Sequence, residues 1–161
     1  MPAAPMQLVL LWVGKTRNPH LRSLCDDYLE RTRRLVRCEV VEIRDPGKGR
    51  ALKGPDLRNA EAREIAHRIR EGSRVVVLEA GGREFTSVEL SRWFEAERLH
   101  GTRELAFVVG GPEGLGDAVR ARAFMAFSLG KMTWTHEMVR VLLLEQIYRA
   151  FAILGRIPYH K

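Results

Sequence analysis

Four glycines in seven residues, Gly110-Gly111-Pro112-Glu113-Gly114-Leu115-Gly116, follow directly on the apolar run Leu105–Val109. Such a loop lets the backbone approach a ligand closely, or allows tight packing and positive φ. It lacks the G-x-G-x-x-G spacing of a dinucleotide fingerprint, and no Gly-Lys-Ser/Thr follows to cradle a triphosphate. What remains is a cradle for an uncharged or zwitterionic ligand, beside the plainer reading of a structural turn. His136-Glu137-Met138-Val139-Arg140 falls short of the zinc-protease H-E-x-x-H, because Arg140 stands where a second imidazole must be. No metal site is expected there. A covalent nucleophile is not expected either: there is no G-x-S-x-G, and neither Cys25 nor Cys38 lies in a glycine turn or beside a histidine. His20, His67 and His100 are scattered and read as surface residues. Two lone carboxylates stand out. Glu79 closes an apolar run, and Glu145 lies inside an apolar helical pattern four residues before Arg149, where an ion pair is the plain explanation. The last six residues, Arg156-Ile157-Pro158-Tyr159-His160-Lys161, join aromatic rings to cations. Tyr159 and His160 suit stacking on, or bonding to, an extruded base, with Arg156 and Lys161 on phosphate; a frayed terminus is the alternative.

The elements that must position these groups read as alternating strands and helices. Met6–Val13 is a continuous apolar run, as expected of a strand covered on both faces. Asn18 and Pro19 open a helix that runs to about Arg34. Cys38–Arg44 alternates like a second strand, and Asp45–Pro55 is a basic Gly/Pro loop. A helix over Asp56–Arg70 leads to a buried-type strand, Arg74–Leu78, and a turn is expected at Ala80-Gly81-Gly82. Ser87 is the expected cap of a helix to about Leu99. After Leu105–Val109 come a short helix around Asp117–Arg122, a strand near Met125–Ser128, the loop Leu129–Thr135 and a long helix from His136 to Leu154, ended by Gly155. This alternation predicts an α/β domain with a mainly parallel sheet and helices on both faces. Ligands of such sheets bind at the carboxyl ends of strands, which points to the loops after Val109 and Ser128. The last helix is apolar nearly all round, with 13 apolar residues among the 17 from Met138 to Leu154. It needs a second apolar neighbour, and a symmetric dimer through this helix is the expectation.

Composition narrows the class. With 161 residues, 45% hydrophobic and 29% charged, the chain has enough apolar material for one cored domain and too much for disorder. No stretch of about 18 uncharged apolar residues occurs, so no membrane span is expected. Two cysteines without metal or redox spacing read as reduced structural thiols, and the expected compartment is the cytoplasm. The formal charge is +7, and 22 of the 27 cations are arginines. Between Arg120 and Lys161 seven cations face only Glu137 and Glu145, and Arg31, Arg33, Arg34 and Arg37 form a second cluster. Arginine grips phosphate through paired N–H groups and stacks on bases, so a polyanion, with nucleic acid foremost, is the expected partner beside a merely soluble basic surface.

The ordered set Val13–Lys15 (VGK), Val75–Glu79 (VVVLE), Val108–Gly116 (VVGGPEGLG), Phe127–Phe151 (FSLGKMTWTHEMVRVLLLEQIYRAF) and Pro158–Lys161 (PYHK) closely resembles the ribosomal large-subunit methyltransferase H family of the SPOUT class. The likeness runs from Met6 to Lys161, leaving residues 1–5 as an N-terminal extension and 6–161 as a single SPOUT domain. The resemblance implies methylation of N3 of a pseudouridine in helix 69 of 23S rRNA, with S-adenosyl-L-methionine as donor, on the assembled 70S ribosome. It also implies a C-terminal trefoil knot, a homodimer and no metal. By position, the donor pocket should involve Leu78, Gly110, Gly111, Ser128, Leu129, Gly130, Lys131, Met132 and Thr133. The RNA-facing residues should be His136, Arg140, Arg156, Tyr159 and His160. Thr135 stands where relatives usually carry proline.

The chemistry such an enzyme needs is alignment of nucleophile, methyl carbon and leaving sulfur, together with removal of the N3 proton. His160 is the candidate base, Tyr159 the positioning group and Arg140 the electrostatic stabiliser. A knotted methyltransferase acting on tRNA or another RNA, and a ribosome-binding protein without catalysis, are the rival expectations. The glycine loop and the FSLGKMT segment weigh against the second, since a pure binder needs no methyl-donor pocket.

Overall fold

The computed structural model describes residues 5–160; the expected extension lies outside them apart from Pro5, as does Lys161. Five strands form one parallel sheet: β1 (Gln7–Val13), β2 (Arg37–Ile43), β3 (Arg74–Glu84), β4 (Glu104–Val109) and β5 (Ala123–Ser128), in the order β2-β1-β4-β3-β5. The helices are α1 (Pro19–Arg33), α2 (Gly54–Arg68), α3 (Ser87–Leu99), the single turn α4 (Asp117–Arg120) and α5 (His136–Leu154). Among the described residues no helix is long and apolar enough to cross a membrane.

Strand alternation divides the core into two layers. Leu8, Leu10 and Trp12 of β1, with Leu105 and Phe107 of β4, meet Cys25 of α1, Phe94 of α3 and Leu143, Leu144 and Ile147 of α5. Val9, Leu11 and Val13, with Ala106 and Val108, meet Ala62 and Ile65 of α2 and Val119 of α4. Both central strands are therefore buried on both faces, which accounts for their unbroken apolar sequences. Helix α5 packs between α1 and α3 against the sheet, and no residue of it is fully exposed. Two neighbours within its own chain thus take up much of the apolarity that pointed to a partner.

Local structure follows the sequence signals at some element ends and departs from them at others. Asn18 caps α1, its side chain accepting from the N–H groups of His20 (2.9 Å) and Leu21 (3.2 Å), with Pro19 behind it. The cap of α3 is Thr86 rather than Ser87. Thr86 and Glu89 form a reciprocal capping box, while Ser87 donates to Gln146 Oε1 at 2.7 Å. Gly155 does end α5, but the left-handed position falls one residue later, on Arg156 (φ 54°). The largest departure concerns β3. The turn expected at Ala80-Gly81-Gly82 is instead a bulge inside a longer strand: Leu78 and Arg83 both pair with Phe127, and the four residues between them bow outward.

Candidate functional site

That bulge opens onto a cavity of about 990 Å³ at the carboxyl ends of β3, β4 and β5. Its floor includes Leu78 and Phe127, and one wall is the glycine loop after β4. Gly114 (φ 84°) closes a tight turn that bridges back to Gly111, and a Cβ on Gly110 would stand 3.1 Å from the Gly114 carbonyl. The opposite wall is the segment between β5 and α5, with Leu129, Gly130, Met132, Thr133, Trp134 and Thr135. Of the nine residues expected to hold the donor, Leu78, Gly110, Gly111, Leu129, Gly130, Met132 and Thr133 line this one cavity. Lys131 is exposed and does not line it. Ser128 does not line it either. It is 3% exposed, and its hydroxyl lies 2.9 Å from the Ala80 carbonyl and 3.0 Å from that of Gly130, while accepting from the Gly130 N–H. Ser128 thereby fastens the wall after β5 to the β3 bulge through one hydroxyl.

The base of α5 reaches the same cavity. His136 lines it, and burial, reinforced by the nearby Arg140 charge, holds its imidazole below the usual histidine range. Glu137 accepts from the backbone N–H of Arg17 and, at 3.3 Å, from that of Asn18, clamping the β1–α1 loop. Arg140 was expected to face RNA, yet it is 1% exposed. Its guanidinium donates to the carbonyls of Val13 (2.8 Å) and Gly14 (3.3 Å) and to Thr16 Oγ1 (3.1 Å), and lies 5.0 Å from the Trp12 ring. All of these acceptors are neutral, so this is a buried cation coordinated by backbone dipoles. The role expected for it, contact with nucleic acid, is not one its position in this subunit permits.

Tyr159, His160 and Arg156 do not line the cavity of their own subunit. Tyr159 donates to Glu145 Oε1 (3.0 Å), lies 3.2 Å from Tyr28 Oη, and has the Arg149 guanidinium 4.7 Å from its ring. Burial and the bonds to Tyr28 and Glu145 push its phenol above the usual tyrosine range. Arg149 also pairs with Glu145, as their spacing suggested, and comes within 3.4 Å of His160 Nδ1. Arg156 is exposed. The tail is thus held by α1 and α5, away from the donor-side residues.

Sequence reasoning gave no warning of Glu61. This α2 residue is 4% exposed and its Oε2 has no hydrogen-bond partner. It backs directly on the glycine loop, where a Cβ on Gly111 would meet Oε2 at 2.8 Å. Burial, with Asp45 and Glu113 adding negative charge, pushes its carboxyl up to about 7. The folded state therefore prefers the neutral acid: its contribution is complete below about pH 4.5 and is lost as pH rises through about 7. Glu61→Gln is expected to raise the melting temperature at pH 8 and leave it nearly unchanged at pH 4.5, read by thermal denaturation at the two pH values. Among the described residues, no group of three or more His, Cys, Asp or Glu side chains is placed to hold a metal ion.

Comparison with known proteins covers nearly all of this architecture. Residues 6–160 match a family whose description reads "Predicted SPOUT methyltransferase". A protein of Geotalea daltonii named ribosomal RNA large subunit methyltransferase H is 41% identical over 155 residues, 96% of this chain and 99% of that protein. Proteins of the same name from Geobacter sp. strain M21 and Porphyromonas gingivalis are 43% and 39% identical over the same shares of both chains.

Proposed function

Because the chain belongs to the SPOUT methyltransferase family, we propose that it methylates ribosomal RNA of the large subunit with S-adenosyl-L-methionine as donor. In its finer form the reading is transfer to N3 of a pseudouridine in helix 69 of 23S rRNA, on the assembled 70S ribosome in the cytoplasm. The observation that carries it is the single cavity that gathers the glycine loop, the end of β3 and the segment 129–133. Its walls suit the donor. Gly110, Gly111 and Gly130 bring side-chain-free backbone to its lining, with open space at the Cβ position of Gly130, and Leu78 and Leu129 offer apolar surface to a purine. When bound there, the donor supplies a methyl group already activated on a sulfonium.

The residues of the chain then have to orient, desolvate and move one proton. Leu78, Gly110, Gly111 and the 129–133 segment hold the donor, with Ser128 and Lys131 shaping that segment from behind and from its exposed side. Ser128 keeps that segment fixed to the end of β3, and the exposed Met132 and Trp134 present apolar surface at the cavity's edge. The N3 proton of the target base must leave as nitrogen attacks, and His160 is the proposed acceptor, with Tyr159 positioning the base. His136, at the cavity, is a proposed RNA contact, and Arg156 a phosphate contact. Arg140 acts as a positioning residue, fixing the end of β1 and the loop from which Asn18 reaches the cavity.

A homodimer is part of this proposal. Tyr159 and His160 lie away from the cavity of their own subunit, so a second copy is the route by which a tail reaches a donor site. The trefoil knot belongs to the same reading. It is supported by β5 lying outside β3, by the tie between Ser128 and Ala80, and by the return of the chain from there to α5 between α1 and α3.

The test is transfer of labelled methyl to 70S ribosomes, 50S subunits and free 23S rRNA, each from cells lacking this protein. Label mainly on 70S, mapped to N3 of a pseudouridine, is the expected result. No label on any of the three, with the donor still binding, would move the target to tRNA or another RNA. No donor binding at all would leave a ribosome-binding protein without catalysis.

A further inference from the structure

One charged pair in the cavity has no part in the mechanism above. Glu79, at the start of the β3 bulge, and Arg120, at the end of α4, both line the cavity, and Arg120 Nη2 lies 2.8 Å from Glu79 Oε1. The contact is close but not directed: Oε1 is closed to solvent and receives no well-aimed N–H. Both side chains keep exposed surface, 30% for Glu79 and 56% for Arg120. The other carboxylate lining the cavity, Glu137, is already occupied by the backbone N–H groups of Arg17 and Asn18. Among the described lining residues, Glu79 is therefore the acid left for a ligand, and Arg120 is the only arginine.

We propose that Glu79 and Arg120 form the subsite for the amino-acid end of the methyl donor, Glu79 receiving the α-ammonium and Arg120 the α-carboxylate. The inference rests on the donor-pocket reading and deepens it. A zwitterion suits this pair because binding exchanges one poorly directed ion pair for two directed ones without changing the net charge of the cavity. Arginine presents the planar fork that a carboxylate accepts through two parallel bonds. A ribose diol would also bond to Glu79, but it would leave the guanidinium facing nothing of opposite charge. The pair thus selects for the intact amino acid and against a neutral nucleoside thioether.

The experiment is calorimetric titration of the full-length protein, its Glu79→Gln variant and its Arg120→Gln variant, with two ligands. S-adenosylhomocysteine carries the amino-acid end, and 5′-methylthioadenosine keeps the adenine and ribose but lacks it. Each variant is expected to bind S-adenosylhomocysteine at least about tenfold more weakly, the scale of a lost charge-assisted bond, with methylthioadenosine within about twofold of the parent. Equal losses for both ligands in a variant with an intact melting transition would overturn the proposal in favour of a ribose contact. Unchanged S-adenosylhomocysteine affinity would overturn it too. So would failure of both variants to fold, which would make the pair a structural tie. Failure of the parent protein itself to bind S-adenosylhomocysteine is a different result, because it removes the donor pocket and the subsite together.

Discussion

Gly82→Ala is expected to lower the melting temperature by about 5–10 °C and to abolish binding of S-adenosylhomocysteine, whereas Gly81→Ala next to it leaves both nearly unchanged. A Cβ at Gly82 would stand 2.7 Å from the Ala126 carbonyl carbon and 2.8 Å from both Ala126 O and Phe127 N. These are backbone atoms of β5 and cannot rotate away, so the strand itself must retreat. Overpacking of this kind destabilises by about 1–3 kcal/mol, and in a domain of this size each kcal/mol shifts the midpoint by about 2–4 °C. The functional loss comes by the same route, because β5 carries Ser128 and the segment that walls the cavity. At Gly81 nothing lies within 4 Å, and its φ is outside the left-handed region. The two alanine variants, compared by thermal melting and calorimetry, separate close approach from chain flexibility. Equal, mild effects at both positions would remove the argument.

Arg140→Met should destabilise the protein by about 2–4 kcal/mol, and Arg140→Lys by nearly as much. Methionine fills most of the stem's volume but leaves the buried Val13 carbonyl and the half-buried Gly14 carbonyl without this donor. Lysine keeps the charge yet offers a single point where a planar fork serves three acceptors. The check is chemical denaturation of both variants. RNA binding provides a second check: a lost phosphate contact would flatten the dependence of log affinity on log salt by about one unit of charge, whereas loss of an internal clamp leaves that slope unchanged in the folded fraction. A stable Arg140→Met protein with a flattened slope would return Arg140 to the RNA-facing surface.

The contrast between these residues shows what the sequence can carry. The start of α1 and the core strands were legible because their causes are local: Asn18 before Pro19, and unbroken apolar runs in β1 and β4. The Glu145–Arg149 pair was legible for the same reason, as i and i+4 on a helix. Gly82 was misread because glycine answers two different needs, left-handed backbone and close approach, and only a neighbour 44 positions later decides between them. Glu61 gave no signal, since a carboxylate in a helix with alanines and arginines looks like a solvated face until the Gly111 loop is laid over it. Arg140 looked like a surface cation for the converse reason: its partners are backbone carbonyls more than 120 residues earlier, and carbonyls leave no mark in composition. Seven of the nine residues expected to hold the donor nevertheless line one cavity, because strand ends of a parallel sheet lie side by side and the glycine loop marked one of them.

The burial of Arg140 against β1 also sets a timetable for synthesis. The N-terminal strand is central, and one of its faces is covered in large part by Leu143, Leu144, Ile147 and Phe151 of the last helix. While α5 is still inside the exit tunnel, Trp12 lacks its cation and that face of the sheet lacks its cover. Until the segment His136–Leu154 has left the tunnel, the nascent chain must hold a nearly complete sheet with one open apolar side, with the aggregation exposure that such a side brings, and docking of α5 is the event that closes the fold.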